Sequence, residues 1–382
     1  MRPKHDGLEA KLVLEDGSVF TGIGFGFQSK IAGEVVFNTG MVGYTEALTD
    51  PSYRGQILCL TYPLVGNYGV PSYKIKDDLG LPKYFEAEHI QVKGLIIHEL
   101  SPLASHWASD RTLDQWLYDE KILGIHGIDT RELTKRIRVQ GVMMGAMEVS
   151  KNGISDESLF MAVKSNVRYD DINFIPEVSA KSVKTYGEQD ERVVLIDTGT
   201  KYSIIRNIMR RGYKVVRLPY TASIQQVLSY EPKGVVLSNG PGDPKFCKET
   251  IVLSKDLIER RIPTLGICLG NQILALASGA DTYKLKYGHR GQNKPCVDLR
   301  DGSAYVTSQN HGYCINPDSL KGTGFKLWFM NADDNTVEGI IHEDRPIIAV
   351  QFHPEASPGP YDCRFVFDML DKMIRGEKVA KA

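Results

Sequence analysis

From Arg192 onward the sequence alternates between short apolar runs and amphipathic stretches separated by polar turns. VVLID (193–197) leads into a helical pattern that gathers Ile204, Ile205, Ile208 and Met209 on one face and stops at Gly212, and KVVRL (214–218) follows. GVVLS (234–238), a helix around 250–260, TLGICL (264–269) and NQILALASG (271–279) repeat the theme. Strands that are apolar throughout need cover on both faces, and strands separated by helices pair in parallel. The second half is therefore expected to be an α/β domain with a mainly parallel, doubly covered sheet, whose chemistry sits at the carboxyl ends of its strands.

The first half reads differently. Residues 11–15, Asp16-Gly17 and residues 18–21 describe a strand, a tight turn and a returning strand. Short apolar runs at 35–37, 56–61 and 94–98 follow, with one clear helix over 129–139, where Asp129 or Thr130 can cap and Leu133 and Ile137 lie four apart. This is a mixed, β-rich pattern. At 382 residues the chain exceeds what one core supports, roughly 250–300 residues. The stretch SAKSVKTYGEQDER (179–192) is polar enough for a solvated connection, so the expected organisation is a first domain over 1–180, a linker over 181–191 and a second domain over 192–382.

The bulk properties exclude several classes. Basic and acidic side chains number 46 and 47, with no Lys/Arg run, which argues against a nucleic-acid partner. The apolar runs fall far short of the ~20 residues a membrane helix needs, and residues 1–10 carry no signal-peptide core, so a cytoplasmic location is the default expectation. Six cysteines without C-x-x-C spacing indicate neither a metal site nor a disulfide framework. For most of them the ordinary role is that of a small buried hydrophobe.

Cys268 is the exception. Gly266-Ile267-Cys268-Leu269-Gly270 is a G-x-C-x-G sequence placed where a strand meets a helix, the thiol analogue of a nucleophile elbow. Flanking glycines permit the sharp turn, and helix N-terminal N–H groups favour a thiolate and the oxyanion formed when it attacks a carbonyl. A glycine-flanked core cysteine on a buried strand would give the same pentapeptide; the strand immediately before it and the apolar helix immediately after it favour the elbow. A base must come from elsewhere. His353 follows the apolar run IIAVQF, and Glu355 stands two residues on, able to orient the imidazole if the backbone there is extended. His311 and His98 are the alternative bases. SNGPGDP (238–244) follows another strand and can bring backbone N–H groups to an oxyanion; an ordinary βα turn and a phosphate cradle are the competing readings, though no Walker lysine accompanies it.

Together GICLGNQ, SNGPGDP, SQNHGY and QFHPEASPGP resemble the class I, triad-type glutamine amidotransferases. LVLEDGSVFTG, GEVVFNTGMVGYTEALTDPSY, LTYPLVGNYGV and GIDTRELTKRIR extend the resemblance to the small chain, or fused glutaminase part, of glutamine-dependent carbamoyl phosphate synthetase, over nearly the whole length. This resemblance implies that Cys268 forms a glutamyl thioester, His353 is general base and acid, and Glu355 orients it. It implies oxyanion-hole amides at Leu269 and Gly240, and glutamine contacts from Gly242, Gln272, Asn310, Gly312, Tyr313 and, from the first domain, Ser52. It also implies a partner, the large synthetase chain or a fused synthetase domain, which uses ATP, Mg and bicarbonate while this chain carries no cofactor of its own. Pyrimidine and arginine supply are both open. In one respect the sequence departs from many relatives: Asn271 stands where they have histidine, and an asparagine cannot carry charge near neutral pH. Two other readings are a non-catalytic partner that regulates a synthetase, which the presence of Cys268 disfavours, and a thiol hydrolase of another amide, which the first domain disfavours.

Overall fold

Gly17 takes φ 86°, a conformation that strains an L side chain but not glycine, and closes a hairpin between β1 (Glu9–Leu14) and β2 (Val19–Gly26), with Val13 opposite Val19. The hairpin opens the first unit of a computed structural model in which residues 7–377 are described. The chain divides into units Met1–Ile172 and Asn173–Ala382. In the first, β3 (Lys30–Asn38), β4 (Gln56–Leu60), β5 (Gly94–Ile96), β6 (Leu123–His126) and β7 (Met143–Ser150) complete a closed barrel in the order β1-β7-β3-β4-β5-β6-β2. Closure pairs every strand on both sides and so leaves no exposed edge. The helix expected near 129–139 is Thr130–Gln140, capped by Asp129, whose Oδ1 accepts from Glu132 N–H at 2.8 Å, and it buries Leu133 and Ile137.

The second unit is built on one sheet. Its strands are β8 (Lys184–Tyr186), β9 (Arg192–Asp197), β10 (Lys214–Pro219), β11 (Gly234–Leu237), β12 (Thr264–Ile267), β13 (Thr282–Asp298), β14 (Ala304–Ile315), β15 (Phe325–Asn331), β16 (Val337–His342) and β17 (Ile347–Val350). They lie in the order β8-β10-β9-β11-β12-β17-β16-β15-β13-β14. The stretch 181–191, marked by its polarity as a linker, supplies the antiparallel edge strand β8, where polar side chains can face solvent.

The expectation of a mainly parallel sheet needs correction. Parallel pairing joins β10, β9, β11, β12 and β17, which is four of nine neighbouring pairs; the other five are antiparallel. Strands β13 to β17 succeed one another without an α-helix, and every neighbouring pair among them is antiparallel; β14 and β15 flank β13 on either side and so run in the same direction as each other. The parallel part is covered on both faces, as expected. Val194, Ile196, Val235 and Leu237 belong to one core with Leu253, Leu257, Ile273 and Leu274 of helices Lys248–Glu259 and Leu269–Ala277. The alternate residues Val193, Leu195, Val236 and Leu265 are equally buried, and strand alternation directs them to the opposite face. No helix among the described residues is long and apolar enough to cross a membrane.

Candidate active site

The site gathers at the carboxyl ends of β9, β11, β12 and β17. After β12 the chain turns at Cys268, φ 53° and ψ −101°, and enters helix Leu269–Ala277. That conformation lies outside the regions an L residue prefers and costs on the order of 1–3 kcal/mol. Three hydrogen bonds hold it: Cys268 N–H donates to Val350 O at 2.8 Å, while Cys268 O accepts from the N–H groups of Asn271 and Gln272 at 3.1 and 3.3 Å. The flanking glycines are required by close approach. A Cβ on Gly266 would lie 2.7 Å from Gly270 O, and one on Gly270 would lie 2.3 Å from Leu237 O.

The Cys268 thiol is buried but has few partners. Its Sγ donates to Asn310 O at 3.7 Å and accepts from Gln351 Nε2 at 3.6 Å. His353 and Glu355, which follow β17, are paired through Nδ1 and Oε1 at 2.6 Å, and Lys201 Nζ lies 3.0 Å from the same Oε1. The pairing arises in a turn, with Ala356 N–H donating to His353 O, and not on the extended backbone that the i, i+2 spacing suggested. Burial favours the neutral imidazole of His353. The Glu355 carboxylate opposes this, outweighs the repulsion from Lys201, and with the Cys268 sulfur pushes the pKa up to about 10. For Glu355, burial favours the neutral acid, but Lys201 and His353 prevail and hold it down at about 2. The result is a carboxylate that stays ionised and an imidazole that keeps its proton at neutral pH. His353 Nε2, buried and without a partner of hydrogen-bonding geometry, is the imidazole atom left for chemistry.

The turn after β11 meets this elbow. Ser238 O accepts from Gly270 N–H at 3.1 Å and from Thr198 Oγ1 at 3.0 Å, and Thr198 N–H donates to Ser238 Oγ at 3.0 Å. Gly240 is pressed so closely against its neighbours that a Cβ there would lie 2.1 Å from Thr198 O and 2.7 Å from Leu269 Cδ2. Gly240 and Leu269 thus lie side by side. Neither the Leu269 N–H nor the Gly240 N–H has an acceptor among the described residues. Two N–H groups without acceptors therefore lie at the elbow, one of them on the residue that follows Cys268.

The remaining candidates fall into two groups. Gly242 lies in the same turn, with φ 83°. Gln272 sits in the elbow helix, its Nε2 donating to Tyr313 O at 2.8 Å and to Gln351 Oε1 at 3.1 Å. Asn310, Gly312 and Tyr313 lie on β14, the strand whose Asn310 O meets the sulfur. Ser52 belongs to the first unit, buried in the one-turn helix Pro51–Tyr53, where its N–H donates to Asp50 Oδ1.

The alternative bases have other engagements. His98 Nδ1 bonds to Ile128 O at 3.0 Å. His311 turns Nδ1 to Tyr313 O at 2.9 Å and Nε2 to Glu338, 3.6 Å away, and burial lowers its pKa, so it is a neutral ring turned toward the carboxylate of Glu338. With His289 these form a buried cluster whose donor atoms lie within 4.8 Å of one another, the spacing of a possible metal site. Its members are already hydrogen-bonded: His289 Nε2 to Asp334 at 2.8 Å, and Asn331 Nδ2 to Glu338 Oε1 at 3.3 Å. The cluster links β13 and β14, through His289 and His311, to Glu338 of β16.

Two buried side chains here escaped the sequence reading. Lys201 is delivered by the DTGTK turn after β9, where Asp197 Oδ1 accepts from Gly199 and Thr200 N–H at 3.0 and 2.8 Å and Asp197 Oδ2 accepts from Arg217 Nε at 2.7 Å. Gln351 immediately follows β17. The available signal was position at a strand's carboxyl end, which fits both, but no spacing links Lys201 to Glu355 or Gln351 to Cys268.

Comparison with known proteins identifies the family. The family described as "Glutamine amidotransferase class-I" matches residues 194–373, and "Carbamoyl-phosphate synthase small chain, CPSase domain" matches residues 12–147. The chain is 49% identical over 373 residues to the carbamoyl phosphate synthase small chain of Pyrococcus furiosus, covering 96% of this chain and 98% of that one. It is 44% identical over 370 residues to the protein of the same name in Methanopyrus kandleri (96% and 99% covered), and 44% over 367 residues to that of Listeria monocytogenes (96% and 97%). With both domains matched in order and near-complete coverage of full-length relatives, the chain belongs to the carbamoyl phosphate synthase small-chain family and carries its class I glutamine amidotransferase domain.

Proposed function

We propose that this chain hydrolyses glutamine and passes the ammonia to a large synthetase chain that forms carbamoyl phosphate, with Cys268 as nucleophile, His353 as acid and base, and Glu355 as orienter. The observation that carries the reading is the meeting, at one end of the sheet, of a strained cysteine, a protonated imidazole fixed by a carboxylate at 2.6 Å, and two free N–H groups. The Cys268 sulfur attacks the side-chain amide carbon of glutamine, and the Leu269 and Gly240 N–H groups receive the oxygen as it becomes an oxyanion. His353 gives its proton to the amide nitrogen, the C–N bond breaks, and ammonia leaves a glutamyl thioester. Water then attacks; His353 takes its proton, the C–S bond breaks, and glutamate departs.

Gln272 has committed its NH2 to Tyr313 O and Gln351, so its carbonyl oxygen is the end suited to accept from the ammonium group of glutamine. Gly242, Asn310, Gly312, Tyr313 and Ser52 are the other proposed contacts. ATP, Mg and bicarbonate belong to the partner's half of the reaction. Mixing the chain with its large chain is expected to give glutamate and carbamoyl phosphate from glutamine in equal amounts. A complex active with ammonia yet inert with glutamine would contradict the proposal.

The charges also set a pH dependence. Because Glu355 holds His353 protonated up to about 10, loss of that proton limits activity only on the alkaline side. Glu355→Gln removes the charge while keeping the shape, so burial should dominate and His353 should lose its proton at lower pH. The alkaline limb of the rate profile is expected to move toward neutrality, with kcat lower by on the order of 10-fold, part of the ~10²–10⁴ that acid–base catalysis supplies. An unmoved limb in a pH titration of glutamate release would separate Glu355 from the imidazole.

A further inference from the structure

Gln351 is fully buried, and its side-chain amide is fixed at both ends. Its Oε1 accepts from two donors, Asn271 Nδ2 at 3.2 Å and Gln272 Nε2 at 3.1 Å, and its Nε2 reaches Cys268 Sγ at 3.6 Å. The backbone is also held, through Gln351 N–H donating to Glu338 O at 2.8 Å. An amide can meet two N–H donors only with its oxygen. The pair Asn271 and Gln272 therefore excludes the flipped orientation and turns the NH2 of Gln351 toward the sulfur.

The sulfur has a neighbour of each kind. Asn310 O is an acceptor and suits the S–H of a thiol, whereas Gln351 Nε2 is a donor and suits the anion. A hydrogen bond to a charged acceptor is about twice as strong as one between neutral groups, so the Gln351 contact strengthens whenever negative charge resides on sulfur. That occurs before attack and again when the thioester breaks.

We infer that Gln351 is a further catalytic residue, donating from Nε2 to the Cys268 sulfur as nucleophile and as leaving group, and that Asn271 is a positioning residue that holds the Gln351 amide in this orientation. Asn271 supplies no charge; it supplies the Nδ2 donor. The inference rests on the reading of Cys268 as nucleophile.

The test uses the complex with the large chain and three variants. Gln351→Met removes the amide at similar length. Gln351→Glu keeps an acceptor for Asn271 and Gln272 but sets a carboxylate oxygen beside the sulfur, and Asn271→Leu frees the Gln351 amide without touching sulfur. The readouts are glutamate release across pH, the rate of Cys268 alkylation by iodoacetamide at pH 7, and carbamoyl phosphate synthesis from ammonia. In Gln351→Met, kcat and alkylation should fall about 10-fold, less than the ~10²–10³ lost with an oxyanion donor because contact to sulfur is longer. KM should hold, and the acid limb of the profile should move to higher pH. Gln351→Glu should fall further and Asn271→Leu less, with ammonia-dependent synthesis unchanged in all three. Wild-type kcat, alkylation rate and pH profile in the Gln351→Glu complex would overturn the inference, whether or not Gln351→Met folds. Persistence of glutamate release in Cys268→Ala would instead overturn the nucleophile assignment beneath it.

Discussion

Cys268→Ala is expected to abolish glutamate release, by on the order of 10⁶-fold as for removal of the nucleophile from other triad hydrolases, while carbamoyl phosphate synthesis from ammonia continues in the complex. The two outcomes separate because the sulfur contributes little to the fold. Its contacts are the long ones to Asn310 O and Gln351 Nε2, and the strained backbone at φ 53° is held by main-chain bonds that alanine retains. Stability should change by only about 1 kcal/mol, in the ordinary range for a point substitution. The free N–H groups of Leu269 and Gly240 remain, but they stabilise an oxyanion only if something attacks. Glutamate release at the original rate would show that another group is the nucleophile.

Gly270→Ala is expected to damage both stability and catalysis. The added Cβ would lie 2.3 Å from Leu237 O and 2.8 Å from the Leu237 C and Cβ atoms, and the first two of these belong to the β11 main chain, which cannot swing aside as a side-chain tip can. Overpacking of this kind costs about 3 kcal/mol, the upper part of the usual range. Relief requires the elbow helix to back away from β11, stretching the bond from Gly270 N–H to Ser238 O and separating Leu269 from Gly240. A displacement of about 1 Å in reacting groups costs roughly 10²-fold in rate. Thermal denaturation and glutamate release, measured on the same preparation, should both show the loss. A variant with wild-type melting and wild-type rate would refute the close approach on which this account of the elbow depends.

The sequence made some of this visible and hid the rest for identifiable reasons. Strands β9 to β12 were legible because a strand buried on both faces is apolar throughout. Strands β13 and β14 were not: KLKYGHRGQNKP buries consecutive residues, Gly288 to Gly291, between half-buried and exposed ones over a long, bulged hairpin, so neither an apolar run nor a clean period of two appears. Barrel closure in the first unit was hidden because it depends on pairings such as β1 with β7, far apart in the chain. Within the site, the glycine-flanked cysteine and the His353–Glu355 pair are local in sequence and could be read. Lys201 and Gln351 reach their partners only through parallel strand pairing, which brings the ends of β9, β12 and β17 together without any spacing rule.

The most direct measurement is mass spectrometry of the complex quenched in acid during turnover of glutamine, followed by peptide mapping. A glutamyl adduct on the peptide containing Cys268, absent from Cys268→Ala and accumulating when hydrolysis of the thioester is slowed, is the predicted result. An adduct on any other residue, or turnover with no covalent intermediate on Cys268, would contradict the account.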